Sequence, residues 1–408
     1  MVLTRSRIVI AALAGLLYAP GLAAQTPARS PAAQTPARSP AAATEKVTPA
    51  QLKSAIDVLG SVDFPIRMDA ARTVRRADAA MAVPALIEAV TSHADAYVRF
   101  KALVVLSGFN DPRIADVMLK SLDERNDRVR ATAYGWFEHH QDLRVVPRLL
   151  TALEREEAEF VRPALTRTLA AYGADAKVRQ ALTGLVMRGQ DLFRAVVIEA
   201  LGEYKADYAL QPILDVARLE GPLQDDAVLA IGRIGDKRGL AVLADLQRTA
   251  SRNLQPSLAA AICLIGSNCG SHVGYLLDTL KFALANPGYQ ELLRATASGL
   301  AAVAVAGNQE AAAALFERGG PTRDPERAAM ALALGTIAIR NTPVTMKVLE
   351  QQAQLDPAID LLREAFDMLE EDLEEEQFFV AVRRAYWAAA AGSPARKVAA
   401  ALIQRLEF

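Results

Sequence analysis

The stretch YVRFKALVVLSGFNDPRI, residues 97–114, sets one arginine between a valine and a long apolar run. Standing alone, Arg99 would be a candidate for catalysis or anion binding. Recurring at a fixed period, it is a structural part of a repeat protein. The same phase opens IRMDAARTV at 66, VRFKALVVL at 98, VRATAYGWF at 129, VRPALTRTL at 161 and FRAVVIEAL at 193. Arg67, Arg99, Arg130, Arg162 and Arg194 therefore follow one another at intervals of 32, 31, 32 and 32 residues. The phase continues without arginine in AVLAIGRIG at 227 and LAAAICLIG at 258, then returns at Arg294, Arg327 and, less clearly, Arg363. About ten units fill residues 50–408.

Each unit predicts two helices. Apolar residues stand three, four and seven places after the arginine, as in Ala102, Leu103 and Leu106 or Val197, Ile198 and Leu201, which is one face of a helix. An acid three residues earlier (Asp127, Glu159, Asp191) suits the start of the first helix. A second Asp, at 111, 142, 175 and 207, marks the start of the second helix. Two helices of this size cannot bury their apolar faces alone, so units must stack into an all-α solenoid. The spacing widens to about 36 residues near 258–294 and 327–363, which predicts a bend or a longer loop there.

The pattern of Val-Arg-x-x-Ala, a Leu-Gly or Ile-Gly turn and an Asp opening the second helix resembles HEAT-like repeats of the phycobilisome-lyase type. LGEYKAD (201–207) and IGRIGDKRG (231–239) match that turn best. The resemblance implies an α-solenoid whose repeated arginines sit at contacts between units, bonded to acids or helix-end carbonyls. It implies little about function, because one solenoid architecture serves scaffolds, regulators and some enzyme subunits.

Residues 1–24 read as a secretory signal: Arg5 and Arg7, an apolar stretch from Ile8 to Leu17, then Pro20, Gly21 and small residues at Ala23 and Ala24. The motif QTPARSPAA follows twice without change, at 25–33 and 34–42, so residues 25–44 read as a Pro/Ala-rich disordered linker. The solenoid then occupies 45–408. Lys and Arg total 46 against 47 Asp and Glu, so no electrostatic footprint for nucleic acid or an anionic membrane is present. No segment after the signal predicts stable membrane insertion. These features predict an exported protein, periplasmic or secreted.

No constellation for chemistry emerges. The four histidines form no His-Glu-x-x-His pattern, and no Gly-x-Ser-x-Gly elbow, phosphate loop or dinucleotide fingerprint is present. No catalytic residue, metal or cofactor is expected. His139 and His140 diverge on a helix and read as solvated turn residues. Cys263 and Cys269 read first as a disulfide, second as free thiols, and third as the start of a metal site with His272. Glu370 to Glu376 contains six acids interrupted by Leu373, read as a solvated helix face that could also dock a basic partner or bind calcium weakly.

The leading function is a scaffold or adaptor that binds a protein or peptide. The alternatives are an enzyme subunit or lyase-like accessory protein, and a structural part of a cell-envelope assembly. Ten places after successive arginines stand Phe109, His140, Tyr172 and Tyr204, which predicts one stripe along the turns. Trp136, one turn before His140 and expected to be partly exposed, would anchor a partner there. The competing surface is a concave face formed by the second helices. The whole is expected to form an elongated arc.

Overall fold

In the computed structural model the described residues are 46–159, 161–369 and 372–408; the signal and linker fall outside them. Among these residues the chain is helical, with no strand. A lone helix α1 (Pro49–Asp57) precedes nine pairs. They are α2 (Phe64–Arg76) with α3 (Ala79–Ser92), α4 (Ala96–Ser107) with α5 (Arg113–Ser121), and α6 (Asp127–His139) with α7 (Val146–Arg155). Then come α8 (Arg162–Ala171) with α9 (Ala176–Val186), α10 (Asp191–Glu203) with α11 (Leu210–Ala217), and α12 (Gln224–Ile234) with α13 (Leu240–Thr249). The last pairs are α14 (Gln255–Leu264) with α15 (Cys269–Ala285), α16 (Gln290–Val305) with α17 (Gln309–Gly319), and α18 (Glu326–Arg340) with α19 (Thr342–Leu349). Three helices close the chain: α20 (Leu355–Leu369), α21 (Asp372–Ala388) and α22 (Pro394–Arg405).

In the first five arginine-bearing units the recurring arginine locks the unit to the one before it. Arg67 Nη1 donates to Ser61 O at 2.6 Å, Arg99 Nη1 to His93 O at 2.8 Å and Arg130 Nη1 to Glu124 O at 2.8 Å. Arg162 Nε donates to Glu156 O, and Arg194 Nε to Val186 O, both at 2.9 Å. Each carbonyl lies at or just beyond the end of the preceding helix, where intrahelical donors run out. The first helix of one unit thus satisfies the last turn of its neighbour. In the two units without the arginine, glutamine takes over: Gln224 Nε2 donates to Ala217 O at 3.0 Å and Gln255 Nε2 to Ala250 O at 3.2 Å. Asp175 caps α9 by accepting from the amides of Lys177 and Val178, and Asp142 and Asp236 cap the short turns before α7 and α13.

Successive first helices pack against one another more closely than the second helices do. Small residues permit it. A Cβ placed on Gly232 would lie 2.4 Å from Ala261 Cα, and one on Gly202 would lie 2.8 Å from Ala230 Cα. Tight spacing of the first helices and wider spacing of the second ones curls the stack, with the first helices on the inner wall. The sequence expectation of a concave face made by second helices is corrected accordingly.

The curl brings the first and last helices of the described solenoid together. Arg72 Nε of α2 donates to Glu407 O at 3.3 Å, and Arg75 of the same helix bonds Glu376 of α21. The expected elongated arc is therefore a closed coil. Its interior holds α21, which contacts α4, α6 and α18, and Leu373 of α21 joins the core of the N-terminal units. Phe408 stacks on Phe379 at 4.0 Å and seals the junction. The widened spacings hold longer helices instead of the expected bend or loop: α15 has 17 residues, α16 has 16 and α18 has 15. Cys263 and Cys269 are paired as a disulfide across the turn between α14 and α15, their Cα atoms 4.0 Å apart.

Arg130 also forms a two-pronged ion pair with Glu156, whose side chain is 6% exposed. Arg99 has only its carbonyl partners. Arg99→Ala should cost about 1.5–3 kcal/mol, the range for a hydrogen bond to a charged group. Arg130→Ala should cost about 3–5 kcal/mol because it also strands a buried carboxylate. Urea unfolding followed by circular dichroism checks the order, and equal losses would refute the shared-lock account.

Candidate functional site

The inner wall is where charge collects. The sequence read Glu370 to Glu376 as a solvated face; among the described members of that run, Glu374 is 7% and Glu376 1% exposed. The reading fails because it assumed a free outer surface, whereas the first turns of α21 are packed against the wall and only its far end, with Trp387, is open to solvent. Glu376 Oε2 accepts from Arg75 Nε at 2.8 Å and Nη2 at 2.5 Å, and its Oε1 accepts from Arg383 Nη2 at 3.2 Å. Asp372 accepts from Lys101 of α4, and Glu374 accepts from Arg167 of α8. Asp372 and Glu376 lie one turn apart, while Glu374 points roughly to the opposite side at about 100° per residue. Carboxylates from two faces of one helix thus meet cations from different walls. Gly108 and Gly135 make the room: a Cβ on either would lie 2.6 Å from Glu376 Oε1 or Leu373 Cδ2, respectively.

A second tier of the same network lies one unit further along. Arg167 Nε also donates to Glu138 Oε2 at 3.2 Å, and the Tyr204 hydroxyl donates to Glu138 Oε1 at 2.7 Å. Burial opposes the Glu138 carboxylate, but Arg167 and Arg340 outweigh it and hold its pKa below the ordinary value. Arg340 of α18 reaches across the coil to Glu203 of α10 at 2.9 Å. Glu138, His139 and Glu374 bring potential metal-ligand atoms within 4.8 Å of one another. Arg167 already bonds both carboxylates, so the trio fits an ion-pair network better than a cation site.

Beside α21 lies a cavity of about 440 Å³, bounded by Phe64, Arg75, Lys101, Arg363, Glu375 and Phe379 among others. Arg75 Nη1 and Arg383 Nη1 are buried there or close by with no hydrogen-bond partner. Glu375 makes no ion pair with either. Desolvation, reinforced by Asp372, pushes its pKa up to about 7 against the pull of Lys101 and Arg75.

The four residues of the expected stripe do line the turns that close the first helices, and Trp136 lies inside α6 beside them. Tyr172 and Tyr204 are the caps of α8 and α10, and His140 that of α6. Their rings are largely spent on packing. Trp136 is 8% exposed, not partly exposed as its variable position suggested, and the His140 ring stacks on it at 4.0 Å. Tyr172 is 2% exposed; its hydroxyl donates to Phe137 O and accepts from the Asp142 amide. Phe109 is half-buried against the core. Sequence periodicity could find this stripe because its members repeat. It could not find Arg75, Lys101, Glu138 or Arg167, which pair over long separations and repeat nowhere.

The raised Glu375 pKa carries a pH dependence. Between its ordinary value near 4.5 and about 7 the folded chain holds a proton that the unfolded chain has released. That contribution to stability is present below the ordinary value and is lost as pH rises through 7. Glu375→Gln should therefore raise the urea midpoint at pH 8 more than at pH 5. A larger gain at pH 5 would show that the carboxyl is ionised in the fold.

The HEAT-repeat family matches residues 52–135. None of the curated proteins compared with the chain matches it. Among solved structures, the chain is similar to YibA of E. coli at 17% identity, covering 54% of this chain and 82% of that one, with a TM-score of 0.39. It is similar to importin beta at 14% identity, covering 88% of this chain and 56% of that one, with a TM-score of 0.35. It is also similar to the complex of CpcE and CpcF of phycocyanin lyase from Nostoc sp. PCC7120, at 19% identity over 83% of this chain and 100% of that one, with a TM-score of 0.27. With its two-helix units and its arginine locks, the described chain has an α-solenoid fold of HEAT-like repeats, of which residues 52–135 match the HEAT-repeat family.

Proposed function

We propose that this solenoid is an exported scaffold or adaptor that holds a protein or peptide partner without catalysing a reaction on it. Export rests on the signal-like residues 1–24, and the binding role rests on the interior. One observation carries it. The inner wall grips the first turns of α21 with side chains drawn from α2, α4 and α8, which supports reading this surface as one that binds polypeptide. We place the partner at the inner wall and its rim instead of along the aromatic stripe, because Trp136 and Tyr172 are buried. Phe64, 47% exposed where the cavity opens, gives that rim an apolar foothold. Among the described residues no helix is long and apolar enough to cross a membrane.

A photocrosslinking amino acid at Phe64, and another at Leu219, exposed and outside the cavity lining, as control, tests the reading in cells that make the full chain. Discrete polypeptide adducts should form at Phe64 and not at Leu219. Absence of polypeptide adducts at Phe64 would remove the scaffold reading.

A further inference from the structure

The proposed binding role leaves open what the inner wall recognises, and the occupant already there answers it. We infer that the interior is a receptor for an acidic helix of another protein, and that α21 is a built-in competitor for that seat. This rests on the reading of the chain as a polypeptide-binding scaffold.

The chemistry of the seat is unusually specific. Three cations from three helices, Arg75, Lys101 and Arg167, each meet a different carboxylate of α21. Those carboxylates lie on opposite faces of the helix, with Leu373 between them seated on Gly135. A ligand must therefore be a helix bearing acids on two faces, an apolar side chain between them, and a bulky apolar pair one turn on, as Phe378 and Phe379 are here. A basic helix would repel the buried guanidinium groups, and an amphipathic helix with one charged stripe would leave some of them unmatched.

The competitor fills the seat imperfectly. Arg75 of the wall, with a side chain 8% exposed, keeps one nitrogen without an acceptor, and Arg383 of α21 itself does too. The Glu375 carboxylate stands in the same space without an ion-pair partner, and the cavity of about 440 Å³ runs beside it. A buried donor with no acceptor is destabilising. An outside helix that supplied an acceptor to Arg75 Nη1 and filled the cavity would bind more favourably than α21 itself. The same small residues at Gly108 and Gly135 that admit α21 would admit its replacement.

The experiment uses the full chain and a fluorescent peptide of residues 372–388, DLEEEQFFVAVRRAYWA, as the probe. Two variants loosen the resident helix and leave the wall intact: Glu374→Gln with Glu376→Gln, and Leu373→Asp. Hydrogen exchange over residues 372–388 reports whether α21 has left. Each released variant should bind the probe at least tenfold more tightly than wild type. Binding should weaken with added salt and vanish for a probe carrying Gln at 374, 375 and 376. Release of α21 without probe binding would overturn the inference, as would equal binding of the neutralised probe. Failure of both variants to release α21 would overturn it too, by making α21 a fixed part of the fold. Dimers formed by exchange of α21 between copies would also overturn it, naming a second copy as the occupant. None of these failures touches the Phe64 crosslink, which tests the binding role itself.

Discussion

Successive first helices approach so closely that only glycine and alanine fit between them, and the rest of the structure follows from that constraint. Gly202 against Ala230 and Gly232 against Ala261 leave no room for a larger side chain at either position. The second helices carry no such contacts and spread apart. A stack narrow on one side and wide on the other must curl. Ten units of curl bring Arg72 of α2 to the last residues of the chain. The abundance of alanine, which in composition reads only as helix preference, is in the fold a statement about curvature.

Closure creates an enclosed interior, and an enclosed interior must be filled or hydrated. The chain fills it with α21, a helix whose acids would ordinarily seek water. Removing Glu376 from solvent is unfavourable on its own, and two guanidinium groups with good geometry offset that penalty. Such buried pairs add little net stability but fix position. Asp372, Glu374 and Glu376 each meet a different cation of the wall, so a shift of α21 by one residue would break all three matches together. Charge here sets register, while Leu373, Phe378 and Phe379 supply the apolar burial.

The repeat was legible because it is local. Arg99 and its counterparts act within six to eight residues of themselves, and the Asp caps within three, so spacing alone revealed both. Gln224 and Gln255 were legible in principle, standing three places before the missing arginines, but a different residue at a shifted position defeats simple alignment. The interior was not legible. Arg75 and Glu376 are 301 positions apart, and the acid run carries no mark that it will be enclosed instead of solvated. Trp136 was misjudged for a related reason. Variation from unit to unit suggested exposure, yet the position packs against the His140 ring and the unit's own core.

The closed coil itself is the claim on which the interior depends, and the separation of its ends tests it most directly. Cysteines introduced at the exposed positions Ala80 and Gln404 accept nitroxide labels, while Cys263 and Cys269 are held in their disulfide. Pulsed dipolar spectroscopy on the full chain should give one short, narrow distance distribution, since α2 and the chain's end are in contact. An open arc of about ten units, each adding about 8–10 Å, would put the labels beyond measurable range. A signal with no short component would contradict the closed coil and every contact assigned to its interior.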